Sequence, residues 1–169
     1  MRRVRYVVAC SLDGYIAGEN GEADWIIMDP EIDFGALFAQ FDTVLAGRRT
    51  FEGMAGSDRG QMPGIKMFVF STTLQQRDYP DVTIVPDKPA EMLATLRASP
   101  GKDIWRCGGG SLFRSLRDSG LVDTIEVSVI PVLLGTGIPL VPGGAIRSKL
   151  KLTGHKVYGT GIVSLEYSI

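Results

Sequence analysis

Asp103-Ile104-Trp105-Arg106-Cys107-Gly108-Gly109-Gly110-Ser111-Leu112 takes the chain from strand-forming residues through three glycines into a segment with apolar side chains at Leu112, Phe113 and Leu116. The pattern predicts a strand, a turn and a helix. Consecutive glycines allow positive φ angles and close approach of a ligand to the backbone, and the helix start directs unpaired amides outward. Such a turn suits a pyrophosphate. It matches neither G-x-x-x-x-G-K-S/T nor G-x-G-x-x-G, and a tight turn without a ligand also uses glycine in this way.

Working outward, residues 4–10 mix β-branched and aromatic side chains with little alternation, which predicts a central strand buried on both faces. Pro30 precedes Phe34, Leu37, Phe38 and Phe41, spaced for an amphipathic helix. Residues 43–46, 66–71, 82–85, 103–107 and 124–130 read as further strands. Helices are predicted after Gly47, over residues 88–98 with Asp87 as cap, and from Gly110 to a stop at Gly120. Residues 149–157 and 162–169 read as antiparallel strands joined through Gly159-Thr160-Gly161. The expectation is one α/β domain over residues 1–169. Its sheet is mostly parallel and flanked by helices, with an antiparallel C-terminal hairpin.

Composition narrows the function. The 169 residues hold 18 Lys and Arg against 19 Asp and Glu, a net charge of −1, so bulk electrostatic binding to nucleic acid or membrane is not expected. Any anion site must be local. With 44% hydrophobic residues, and 21 Gly and 9 Pro, the chain falls outside the disordered and low-complexity classes. Cys10 and Cys107 are isolated in apolar runs, signal neither a disulfide framework nor a metal knuckle, and fit a reducing cytoplasm. The apolar run from Tyr6 to Cys10 is five residues, short of the roughly 7 to 15 of a signal peptide.

A second anion site is readable at Gly47-Arg48-Arg49-Thr50, where guanidinium forks, a hydroxyl and helix-start amides converge after a strand. Alone, it would equally suit a solvated helix start. Ligands of open α/β sheets bind beyond the carboxyl ends of the strands, so one molecule bearing a pyrophosphate and a separate monophosphate could occupy both turns. NADPH is such a molecule.

Six segments in order resemble the dihydrofolate reductase fold, in the branch of the reductase half of the bifunctional riboflavin-biosynthesis deaminase/reductase. They are Ser11-Leu12-Asp13-Gly14-Tyr15-Ile16-Ala17, Gly21-Glu22-Ala23-Asp24-Trp25, Gly47-Arg48-Arg49-Thr50-Phe51-Glu52, the triple glycine with Ser111-Leu112, Gly120-Leu121-Val122-Asp123, and Ile130-Pro131-Val132-Leu133-Leu134-Gly135. The resemblance implies NADPH as hydride donor. It places the phosphate-binding arginine and threonine at Arg48 and Thr50, with Arg49 nearby, and the strand-end serine near the adenosine at Ser71. The pyrophosphate loop falls on Gly108, Gly109, Gly110, Ser111 and Leu112, and the nicotinamide edge on Ala9 and Ile16. Trp25 and Asp13 are implied near the substrate, with Gly18 and Gly21 as hinges of a covering loop. A small-molecule substrate and a homodimer are further implications. No H-x-E with P-C-x-x-C pattern occurs, so the zinc deaminase half is not expected.

The family places one carboxyl group after the tryptophan, where Asp29, Glu31 and Asp33 all stand. At most one is expected to supply a proton, and the positive end of a helix would attract all three without any catalytic role. Two features separate the chain from the riboflavin-pathway pattern: Ile32-Asp33-Phe34-Gly35-Ala36 lacks the basic residues that hold the ribose phosphate, and Cys107 replaces a glutamate. The expected activity is NADPH-dependent reduction resembling that of 5-amino-6-(5-phosphoribosylamino)uracil. The alternatives are reduction of dihydrofolate, or nucleotide binding without turnover. His155, the only histidine, reads as a sheet residue because no serine or cysteine motif accompanies it.

Overall fold

The computed structural model describes residues 1–54, 62–144 and 147–169. Its main sheet has eight strands: β1 (Val4–Ser11), β3 (Phe41–Gly47), β4 (Lys66–Phe70), β5 (Thr83–Val85), β6 (Asp103–Cys107), β7 (Thr124–Ile130), β9 (Lys151–Val157) and β10 (Val163–Ser168). Their order is β5-β4-β3-β6-β1-β7-β10-β9. The six from β5 to β7 are mutually parallel, whereas β10 runs antiparallel to both β7 and β9. This is the expected parallel sheet with its C-terminal hairpin, and β1 lies at its centre.

Burial on both faces explains the unalternating strand sequences. Along β3, Leu45 packs with Tyr6, Ile104, Phe113 and Leu116, while its neighbours Val44 and Ala46 pack on the opposite face with Phe51, Met67 and Val69. Helix α3 (Pro89–Ala98) contributes Leu93 to the first cluster, and α4 (Gly110–Asp118) contributes Phe113 and Leu116. Phe51 comes from α2 (Arg48–Met54). Phe113 stacks on Tyr6 at a centroid separation of 4.2 Å, joining α4 to the central strand.

Ion pairs secure the amino ends of the strands. Arg5 donates through both arms to Glu126 at 2.7 and 2.6 Å and reaches Asp103 at 3.4 Å, tying β1 to β7 and β6. Arg2 pairs with Asp42 and donates to Thr43 at 2.7 Å.

Three readings change. The helix expected around Phe34 to Phe41 shrinks to α1 (Phe34–Phe38), because the Asp33 carboxylate caps it at the Ala36 amide and Phe41 is drawn into β3 beside Trp105. Asp87 does not cap α3: Lys88 holds that position in a left-handed conformation, and Pro89, which lacks an amide to satisfy, opens the helix. A ribbon absent from the sequence reading, β2 (Tyr15–Ala17) with β8 (Ile138–Pro139), brings the segment after β8 over the start of α4.

Truncating Phe113 to Ala should cost about 3 to 5 kcal/mol, since a fully buried ring is removed between Tyr6 and the sheet. Urea unfolding followed by circular dichroism measures it; a loss below about 1 kcal/mol would show that α4 is not anchored there.

Candidate cofactor site

Strands β3 and β6 are parallel neighbours with Ala46 opposite Cys107, so the turns that follow them leave the sheet side by side. Gly108 and Gly109 adopt φ of +57° and +53°, and a Cβ on Gly108 would lie 2.7 Å from the Thr50 side chain. Glycine is required there by conformation and by space. Thr50 of α2 therefore touches the glycine turn, and the starts of α2 and α4 adjoin. A Cβ on Gly110 would approach Pro142 to 2.8 Å, so the segment after β8 packs directly on the start of α4.

Beside these turns, beyond β4 and β5, lies an open cleft of about 400 Å³ lined by Arg48, Ser71, Thr72, Thr73, Asp87 and neighbouring residues. Ser71 is buried, and its hydroxyl accepts from the amides of Thr73 at 3.2 Å and Leu74 at 3.1 Å. Arg48 is half exposed; it donates to Thr73 Oγ1 at 3.0 Å and to Glu52 at 2.8 Å. An oxyanion in this cleft would meet a guanidinium and hydroxyls, but would compete with Glu52 for Arg48. Arg49 is exposed to solvent. Ala9, on β1, pairs in register with Ser128, and both it and Ile16 are half-buried.

Among the described residues, Arg106 is a fully buried cation with no ion-pair partner. Its two terminal nitrogens donate to the carbonyls of Cys107 and Gly109, its Nε has no partner, and the guanidinium stands 5.6 Å from the centre of the Tyr6 ring. Burial pulls its pKa down to about 10, which leaves it charged at neutral pH. Burial also pushes the Cys10 and Cys107 thiols up to about 11, so both are neutral, inert groups there. The sequence signal for Arg106 was a lone charge between Trp105 and Cys107.

The three carboxylates expected after Trp25 each have a partner elsewhere. Asp29, outside any helix, is buried and accepts from the Glu31 amide at 2.9 Å and from the Thr160 hydroxyl at 2.7 Å and amide at 3.1 Å. These bonds, the Glu31 amide first, hold its pKa below the usual aspartate value. Glu31 lies 3.6 Å from Lys156, a base supplied by β9 rather than by α1. Asp33 caps α1. Asp13 joins two loops: it accepts from the Ser11 hydroxyl at 2.6 Å and the Gly135 amide at 2.7 Å, and the Ser11 bond is the largest cause of its lowered pKa. Trp25 is half-buried and donates to the Glu22 carbonyl at 3.1 Å within a turn where the Gly18 amide also bonds that carbonyl.

Asp29 should stabilise the hairpin in a pH-dependent way. Its contribution is complete above the ordinary aspartate pKa of 3.8 and is lost as pH falls through the lower folded value. Asp29→Asn should melt below wild type at neutral pH, with the gap closing in acid. Thermal melts between about pH 7 and pH 3 test this; a gap constant with pH would remove Asp29 as the charged latch.

The sequence matches the RibD C-terminal domain over residues 2–164. It is 36% identical to the protein YyaP of Bacillus subtilis (strain 168) over 98% of this chain and 94% of that one. A crystal structure of a protein from Shewanella sp. PV-4 described as a riboflavin biosynthesis protein superposes with a TM-score of 0.82 at 27% identity, covering 99% of this chain and 98% of the other. Dihydrofolate reductase from Enterococcus faecalis, solved with NADP(H), superposes with a TM-score of 0.69 at 19% identity over 98% and 94%, a likeness of fold. With its dihydrofolate reductase-like sheet and a family match across nearly its whole length, the chain belongs to the RibD C-terminal domain family.

Proposed function

We propose that the protein is an NADPH-dependent reductase whose acceptor resembles the phosphoribosylamino-pyrimidine of riboflavin biosynthesis. The carrying observation is the contact of the β3 and β6 turns, Thr50 against Gly108: the helix start that meets the glycine turn also carries Arg48, which lines the cleft beyond β4 and β5. The residues fit the cofactor. Arg48, Ser71 and Thr73 would hold its 2′-phosphate, residues 108–112 its pyrophosphate, and Ala9 with Ile16 would border the nicotinamide. Bound there, NADPH would supply a hydride to an electrophilic carbon of the acceptor.

The chain's own part is orientation and exclusion of water. The Asp13 bonds to the Leu134 and Gly135 amides and the Asp29 bonds to Thr160 fix the loops and hairpin around the carboxyl ends of β1 and β7. Holding donor and acceptor in a set geometry is the main source of rate available to such a site.

Fluorescence of Trp25 and Trp105 should change as NADPH is added, with NADH binding more weakly. Arg48→Ala should remove most of that preference, about tenfold to a hundredfold in affinity. Equal NADPH affinity in wild type and variant would overturn the assignment of Arg48. Turnover is then followed through reduced-nicotinamide absorbance with the phosphoribosylamino-pyrimidine and with dihydrofolate. Oxidation with the first supports this reading, oxidation with dihydrofolate alone replaces the substrate, and oxidation with neither leaves a nucleotide-binding protein.

A further inference from the structure

Arg106 occupies a position that packing alone does not explain. It is the largest fully buried side chain among the described residues, two positions along β6 from the buried Ile104 and facing the Tyr6 ring, where an aliphatic residue would avoid desolvating a charge. Burial raises the Tyr6 hydroxyl to about 12 and the Cys107 thiol to about 11, so neither neighbour supplies negative charge at neutral pH. The guanidinium also bonds the carbonyl of Gly109, the residue that caps the start of α4. A helix start is itself electropositive, so two positive features adjoin with no compensating carboxylate among the described residues.

The bonds of Arg106, together with the first helical bond from the Phe113 amide to the Gly109 carbonyl, set how the turn presents itself. In a trans peptide the carbonyl and the following amide point in opposite directions. With the Cys107 and Gly109 carbonyls drawn to the buried guanidinium, the amides of Gly108 and Gly110 are directed away from it. The left-handed conformations of Gly108 and Gly109 accommodate that arrangement.

We propose that Arg106 is a positioning residue for a diphosphate: it turns the glycine amides toward the ligand and places behind them a buried positive charge that the ligand's anion completes. This rests on the dinucleotide reading above and adds to it a residue that does not touch the ligand. The fixed charge favours a diphosphate over a neutral group at residues 108–112.

Wild type, Arg106→Met and Arg106→Lys are compared by titration with NADPH, inorganic pyrophosphate and adenosine 2′-monophosphate, alongside ligand-free thermal melts. Arg106→Met should bind NADPH and pyrophosphate at least about tenfold more weakly. Its affinity for adenosine 2′-monophosphate should be unchanged and its ligand-free melting temperature equal to or above wild type, because a desolvated charge is gone. Arg106→Lys should recover much of the pyrophosphate affinity. Wild-type affinity for pyrophosphate in Arg106→Met, an equal loss for both fragments, or no recovery in Arg106→Lys would overturn the proposal. Should Arg106→Met not fold, nitrogen-15 NMR of the wild-type chain decides. The Arg106 Nε–H resonance should move with pyrophosphate and not with adenosine 2′-monophosphate, and a resonance unmoved at saturation overturns the proposal. Wild type that binds none of the three probes defeats the dinucleotide reading itself, whereas wild type that binds NADPH while Arg106→Met retains it defeats only the role of Arg106.

Discussion

Parallel pairing of β3 with β6 is the constraint from which the site follows. Because Ala46 stands opposite Cys107, the two strands end at one level and their turns meet at Thr50 and Gly108. A slip of one residue would exchange the faces of β3, placing Leu45 where Val44 and Ala46 now pack. Ion pairs at the opposite end of the sheet hold the neighbouring strands: Arg5 joins β1 to Glu126 on β7 and to Asp103 on β6. Charge is thus used to fasten the amino end of the sheet.

The two anion positions differ physically. Arg48 is half exposed and already paired with Glu52, in an environment where water and salt weaken every charge interaction. On the proposed reading its contribution would be mainly discrimination: a ligand lacking a phosphate in the cleft would leave the Arg48–Glu52 pair as it is. Arg106 is buried and unpaired, where screening is slight and an approaching anion meets the full field of the group. On the proposed reading, the stronger field behind the glycine turn would hold the ligand and the weaker one in the open cleft would select it.

Strand-level organisation was legible because burial on both faces leaves continuous apolar runs, as at residues 4–10, and because glycines mark where strands pass into helices. The β9–β10 hairpin was legible from Gly159-Thr160-Gly161 for the same reason. Local patterning failed where distant partners decide the outcome. Phe41 has helical spacing from Phe34 and Phe38, yet it is claimed by the sheet and by Trp105. The β2–β8 ribbon joins segments some 120 positions apart, Tyr15 opposite Pro139, with no turn signal to reveal it. Arg106 was visible as a charge in an apolar strand, but its burial comes with the Tyr6 ring of β1 and the start of α4, which only the fold brings against it.

The carboxylates show most clearly why residue type alone does not assign a role. Asp29, Glu31 and Asp33 stand close in sequence, yet the fold gives them a hydroxyl and amide on the hairpin, an ammonium on β9 and the start of α1, respectively. Asp13 likewise joins the loop after β1 to the segment after β7 through two amides. Asp29, Glu31 and Asp13 each join two separate elements near the sheet's carboxyl edge, whereas Asp33 only caps α1. A buried carboxylate kept ionised by donated hydrogen bonds is a poor proton source, because those bonds favour the charged form. Asp29 therefore acts through geometry: its bonds to Thr160 fix the hairpin whose β9 strand brings Lys156 beside Glu31.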